Sequence, residues 1–237
     1  MKILITLCAR GGSKGIPGKN IRQIGGKPLI SYSINHAKEF SKIYESDIAL
    51  STDSKEIRKI AESFELYTTY IRPQSLATDS AGKIETILHL LEYEEKVRSI
   101  NYDYILDLDI SSPFRCLDDL ITAFLKILSD KNALNIFSVN KANRNPYFNM
   151  VEQQPNGYYS LVKRGDFLTR QSAPKVFDMN ASFYIYRRSF FDSRCKSTIS
   201  DRSLIYEMPH ICFDLDHQMD FDFMEFLINS NRLDFII

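Results

Sequence analysis

Residues 8–20 read CARGGSKGIPGKN and set Arg10, Lys14 and Lys19 among Gly11, Gly12, Gly15 and Gly18, so four of the chain's nine glycines share one basic stretch. Glycines let successive main-chain N–H groups turn toward one concave point and let a ligand approach the backbone closely. Three cations around that point would neutralise most of a triphosphate. The chemistry this suggests is anion binding. Two familiar phosphate cradles do not fit. A P-loop needs G-x-x-x-x-G-K-[ST], but Asn20 follows Gly18-Lys19 and Ser13 stands five positions before Gly18. The glycine spacings also miss the dinucleotide pattern G-x-G-x-x-G. A solvated turn with clustered charges is the plain alternative, and the scarcity of glycine elsewhere counts against it.

A polyphosphate usually travels with a hard divalent cation held by oxygen ligands. The stretch HICFDLDHQMDFDF (210–223) offers Asp214 and Asp216, two positions apart, which on a strand over 211–216 project from one face. Two such acids repel unless a cation or base lies between them; a solvated strand end is the alternative. Asp220 and Asp222 suit the opening of the next helix, where negative charge meets the dipole. His36 and His89 fall within helices and His210 at a strand start, which leaves His217, beside the acidic pair, as the histidine worth testing.

The elements that must position these groups follow from periodicity. Short apolar runs at 3–8, 47–52, 65–71 (ELYTTYI), 104–108 and 134–139 read as strands. Between them, amphipathic patterns predict helices along 29–40, 57–64, 84–98 and 117–128. Alternation of this kind predicts an α/β fold with a doubly wound, mainly parallel sheet. Such sheets bind ligands beyond the carboxyl ends of their strands, where the basic loop sits. The rhythm breaks near residue 141. Two strand-like runs flank Pro155-Asn156-Gly157 as a hairpin, and 141–178 reads as an insertion in a single domain spanning 1–237. Strands at 182–187 and 211–216 and a helix over 219–229 complete the expectation.

Thirty basic and thirty acidic residues cancel, so no overall field favours nucleic acid or an anionic membrane. No segment approaches the roughly 18 uninterrupted apolar residues of a membrane span. Cys8, Cys116, Cys195 and Cys212 are scattered, which fits reduced thiols in a cytoplasmic protein better than zinc or disulfides. The N-terminal apolar run leads into a basic loop with no cleavage signal and reads as a strand, not a secretion signal.

Several blocks together resemble the CMP-sialate synthetases, or acylneuraminate cytidylyltransferases: ARGGSKGIPGKN, STDS (51–54), RPQSLATDSA (72–81), SSPFR (111–115) and FDLD (213–216), in the family's order. RNPYFNMVE (144–152) and FLTRQSAPKVFDMNASFYIY (167–186) resemble the branch acting on legionaminic acid. The resemblance implies a Rossmann-like nucleotidyltransferase sheet with a small dimerisation subdomain at 141–178, a homodimer, CTP as co-substrate and Mg2+ as cofactor. It implies that Arg10, Gly11, Gly12, Ser13, Lys14, Lys19 and Asn20 hold the triphosphate, and that Arg72, Asp79 and Ala81 line the cytosine pocket. It further implies that Arg170, Gln171, Asn180, Tyr184 and Ser112 lie near the sugar acid and that Asp214 and Asp216 bind the metal.

Two departures concern the sugar. Asp109 stands in LDIS where the family commonly has the glutamine of LQPT, and Phe148 stands where sialic-acid enzymes can carry a lysine. Both alter the sugar pocket and leave the nucleotide loop intact, which favours N,N'-diacetyllegionaminate over N-acetylneuraminate. Pseudaminate, an eight-carbon ulosonate and a nucleotide-binding regulator without catalysis are the remaining readings. An arginine usual at position 14 in the ulosonate enzymes, and retention here of both Asp214 and Asp216, argue against the last two. Arg10, Lys14, Lys19, Asp214 and Asp216 are the expected catalytic set.

Overall fold

The computed structural model describes residues 1–13, 15–192 and 197–237. Lys14 and Cys195, both singled out above, lie outside the described residues. In chain order the strands are β1 (Ile3–Cys8), β2 (Gln23–Ile24), β3 (Lys27–Pro28), β4 (Ser46–Ser51), β5 (Tyr104–Leu108), β6 (Asn135–Lys141), β7 (Val151–Gln153), β8 (Tyr159–Leu161), β9 (Phe177–Arg187) and β10 (Ser203–Glu207). The helices are α1 (Leu29–Ile43), α2 (Lys55–Ser63), α3 (Lys83–Arg98), α4 (Leu117–Ser129), α5 (Arg188–Asp192) and α6 (Gln218–Asn229).

Six strands form the main sheet in the order β10-β6-β9-β5-β1-β4. β1 pairs in parallel with β4 and β5, and β10 with β6, while β9 runs antiparallel between β5 and β6. The sheet is thus mixed and mostly parallel. β1 is apolar but for Thr6 because both its faces are covered. Ile3, Ile5 and Leu7 pack with α1, α4 and α6 through Ile34, Phe40, Phe124 and Met224. Leu4 points to the other side, with Ala49, Ile105 and the α3 residues Ile87, Leu90 and Leu91.

Local signals start the helices that frame the cleft. Ser54 of STDS caps α2, its Oγ accepting from Ile57 N at 3.3 Å. Cys116 and Asp119 form a capping box at α4, with Cys116 N donating to Asp119 Oδ2 at 2.7 Å. Asp220 does the same for α6, accepting from His217 N at 2.7 Å.

Two expected strands are absent. Glu65 is in a turn at φ 55, and residues 66–71 form no strand, with Leu66 and Tyr70 buried and Tyr67 and Ile71 exposed. The alternation is real, but the bond to β4 is made by the Thr68 hydroxyl on Leu50 O, at 3.2 Å, and not by a main-chain ladder. Residues 211–216 likewise form no strand, so the strand expected to carry Asp214 and Asp216 on one face is absent. The strand that closes this side of the sheet is β10, which the apolar patterning had not marked.

The rhythm break does correspond to a departure from the sheet. β6 and β9 pair as far as Lys141↔Phe177, and residues 142–176 leave the sheet between them. That excursion carries the β7–β8 hairpin, whose turn places Gly157 at φ 85, a conformation that favours glycine. Among the described residues no helix is long and apolar enough to cross a membrane.

Candidate active site

The basic loop leaves the carboxyl end of β1 and is held by other motifs. Asp53 of STDS accepts from Gly11 N at 2.8 Å, and Asn20 Nδ2 donates to Arg10 O at 3.0 Å. Asn20 therefore clamps the loop as well as facing the cleft. A Cβ on Gly15 would lie 2.3 Å from the Asp216 carbonyl oxygen, so only glycine allows the loop to press against the acidic segment. Lys19 Nζ donates to Leu215 O at 2.6 Å. Loop and acidic segment, 196 positions apart in sequence, are thus in direct contact.

A cleft of about 300 Å³ opens at this point. Arg10, Ser13, Lys19 and Asn20 line it on one side, and Arg72, Asp79 and Ala81 on the other. Arg10 pairs with Asp79 at 2.5 Å across it. Arg72 is buried, its Nε and Nη2 donating to Ser51 Oγ and O at 2.8 and 2.9 Å, which fixes its guanidinium at the end of β4. Gly11 has its N–H engaged by Asp53, and Gly12 is exposed with open space around it.

The cleft floor holds a group that motif reading missed. Lys83, at the start of α3, places its ammonium 3.0 Å from Asp107 Oδ2 and 2.8 Å from Asp109 Oδ2, over the Tyr184 ring at 4.6 Å. Burial opposes its charge, but the two carboxylates outweigh it and raise the lysine well above its ordinary range. Asp109 is drawn down to about 2: burial resists ionisation, and Lys83 and the Ser111 donors overcome it. Ser111 N and Oγ both hold Asp109 Oδ1, at 2.9 and 2.8 Å. Asp107 in turn accepts from Thr6 on β1. Burial, then Asp107, pushes the neighbouring Cys8 thiol up to about 12, so it stands protonated.

The acidic segment is fastened by pegs. Leu215 N donates to Ser111 O at 3.0 Å, and Ser112 Oγ to Phe213 O at 3.1 Å. Ser112 is fully buried, so it supports the segment and does not face a ligand. Arg115, also fully buried, locks the SSPFR turn: its Nη1 donates to the carbonyls of Asp109, Ser112 and Ser182, and Nη2 to Ser33 Oγ. Asp214 is raised in pKa by burial and then by Asp109, with Ser111 and Lys19 pulling the other way. Its Oδ1 is buried with no hydrogen-bond partner, while Asp216 is exposed. An orphaned carboxylate oxygen beside a second acid is a donor set that a hard divalent cation fits.

Other expected residues are not in this cleft. Arg170 Nη2 donates to the Ala142 and Asn143 carbonyls, both at 2.8 Å, and lines a separate cavity of about 700 Å³ with Gln171. Asn180 is buried in a network with Asn140 and Ser138. Tyr184 is buried, with the Lys83 ammonium over its ring. His217 is exposed at the α6 cap, 3.5 Å from Asp220.

A cleft lined by a glycine-rich basic loop and by Arg72 and Lys83, with an acidic segment braced against that loop, suits a nucleoside triphosphate. Residues 4–225 match the cytidylyltransferase family. The chain belongs to that family. It is accordingly a nucleotidyltransferase that uses CTP. Over 232 residues it is 41% identical to post-translational flagellin modification protein B of Campylobacter coli, covering 98% of this chain and 97% of that one. It is 38% identical over 232 residues to a CMP-N,N'-diacetyllegionaminic acid synthase of Campylobacter jejuni, with the same coverage of 98% and 97%. Among solved structures, the CTP complex of a CMP:2-keto-3-deoxy-manno-octonic acid synthetase superposes with a TM-score of 0.69 at 15% identity, covering 98% of this cytidylyltransferase and all of that chain, a likeness of fold.

Proposed function

We propose that this cytidylyltransferase joins CTP to a nonulosonic acid, by preference N,N'-diacetyllegionaminic acid, releasing pyrophosphate. The observation that carries the reading is the Lys19–Leu215 contact, which joins the basic loop lining the cleft to the acidic segment. The end-to-end similarity to a legionaminic acid synthase supports the choice of sugar, as does Asp109 in its ion pair.

In the proposed reaction the anomeric hydroxyl of the sugar acid attacks the α-phosphorus of CTP in line, and pyrophosphate departs. Catalysis then rests on positioning and charge neutralisation. Arg10 and Lys19, with Lys14, neutralise charge growing on the leaving pyrophosphate. Arg72 and the Asp79–Ala81 stretch bind the cytosine side. Lys83 holds Asp109 ionised and aimed along the cleft floor. Asp214 and Asp216 would hold Mg2+, which supplies Lewis-acid polarisation of phosphate oxygens. Arg170 and Gln171 would meet the sugar acid from the excursion. A homodimer that covers the exposed apolar side chains of the excursion, working in the cytoplasm, completes the proposal.

Pyrophosphate release should be measured with CTP and each of N,N'-diacetyllegionaminate, N-acetylneuraminate and pseudaminate, with and without chelator. Efficient, magnesium-dependent turnover of the legionaminate is expected. Preference for N-acetylneuraminate would move the assignment to the sialic-acid branch, and no pyrophosphate with any acid would leave a nucleotide-binding regulator.

A further inference from the structure

Away from the nucleotide cleft, the first turn of α4 meets the chain just before the acidic segment. Cys116 Sγ donates to Asp119 Oδ2 at 3.1 Å, and His210 Nε2 lies 2.9 Å from the same oxygen. The three ligand-type atoms lie within 4.8 Å of one another. We propose that Cys116, Asp119 and His210 form a site for a borderline-soft metal ion such as Zn2+, separate from the carboxylate pair in the cleft.

The donor set discriminates. One sulfur, one imidazole nitrogen and one carboxylate oxygen suit zinc, whereas magnesium selects all-oxygen sites. Tetrahedral bonds of about 2.0–2.3 Å would separate these ligand atoms by about 3.4–3.6 Å. The observed 3.1 and 2.9 Å therefore need to open by roughly half an ångström as two protons leave and the ion enters.

The outer partners that such a site needs are already built. His210 Nδ1 sits 3.0 Å from Ile211 O, which fixes that nitrogen as the donor and leaves Nε2 to bind metal. The Phe235 ring stacks on the imidazole at 3.7 Å between centroids and holds its plane. Asp119 Oδ1 accepts from Tyr206 OH at 3.0 Å, which orients the carboxylate and keeps Oδ2 inward. Cys116 is only partly buried and lines a cavity of about 660 Å³, which gives an ion access.

Charge balance favours the exchange. Without metal the trio is a thiol, a carboxylate and, with an acceptor facing each ring nitrogen, an imidazolium, which together carry no net charge. Zn2+ replaces the Cys116 thiol proton and the His210 Nε2 proton, and both go to solvent. The result is Zn2+ with one thiolate, one carboxylate and one neutral imidazole, again without net charge, and water takes the fourth position. Burial followed by the Asp119 hydrogen bond holds the free thiol up to about 11, so it is protonated until the ion arrives.

The test uses the full chain, stripped with chelator and titrated with Zn2+ against a chromophoric indicator, then with Co2+ to read thiolate-to-metal charge transfer. One equivalent should bind in the presence of excess Mg2+ and release two protons. Cys116→Ser, which keeps an N-cap oxygen, should lose the cobalt band and weaken zinc by at least about 100-fold, because even outer-shell losses cost about 10–100-fold. Asp214→Asn should leave both signals intact. Wild-type protein that fails to compete with the indicator, equal zinc affinity in Cys116→Ser, or loss of the site in Asp214→Asn would each overturn the proposal. Because every readout is metal binding, the outcome is independent of which sugar acid the enzyme uses.

Discussion

In the nucleotide cleft, each cation already has a partner before a ligand arrives: Lys83 has two carboxylates, Arg10 has Asp79, Arg72 has the Ser51 oxygens and Lys19 has the Leu215 carbonyl. Across the same sheet, the 142–176 excursion leaves Leu168 93% exposed, Tyr158 76% and Tyr159 66%. The first region is built of polar groups held by strand ends and helix starts. The second is a thin hairpin with uncovered apolar side chains. A polyanion changing charge during reaction is best met by donors that need no reorganisation, which is what the cleft provides. The excursion has apolar surface to be covered, which suits recognition and assembly.

Lys83→Met would test that contrast most severely. It leaves Asp107 and Asp109 without their cation, and removing one partner of a buried pair costs about 3–5 kcal/mol. Urea unfolding should show that loss, and pyrophosphate release should fall by about 100-fold or more. Adding Asp109→Asn should restore part of the stability and little of the activity. If activity returned fully, the cluster would be structural alone.

Gly15→Ala comes next. The added methyl meets the Asp216 carbonyl, so loop and acidic segment must separate. CTP turnover should drop by about 10-fold or more with little change in melting temperature, since misplacement of this order can cost as much as 100-fold.

In the excursion, Leu168→Asp should leave monomer stability within about 0.5 kcal/mol, as for other exposed positions. Sedimentation should nevertheless show weaker self-association. An unchanged oligomer would remove Leu168 from the assembly surface.

The smallest effect is expected at His210. Burial works against its charge, but the bonds to Asp119 and Ile211 O prevail and raise its pKa above the ordinary value. A raised histidine stabilises the fold below about pH 6.5 and loses that contribution as pH climbs through its folded pKa. Metal-free wild type should therefore lose stability over that rise, by about 1 kcal/mol or less. In His210→Gln the same scan should be flatter.

How legible each part was follows from where its partners lie. The basic loop was readable because its glycines and cations are local to one stretch. The central strands were readable because burial on both faces leaves an unbroken apolar run. Residues 65–71 and 211–216 show the limit: a period of two marks an extended chain, but only a tertiary neighbour decides whether ladder or side-chain pegs hold it. No motif marks Lys83, because its partners lie 24 and 26 positions away. Arg170 and Gln171 were marked by family resemblance alone, because the cavity they line is closed by Ala142 and Asn143, 28 and 27 positions from Arg170, at the foot of the excursion.

The antiparallel β6–β9 pair continues to Lys141↔Phe177, so everything from 142 to 176 hangs from a two-stranded stalk. A graft or trimmed length beyond that stalk changes the closure entropy of one loop, about 0.6 kcal/mol per doubling. The catalytic cleft is untouched by such an exchange. Length can therefore be gained or lost beyond Lys141 and Phe177 while the strand ends that position Arg10, Arg72 and Asp109 keep their pairing.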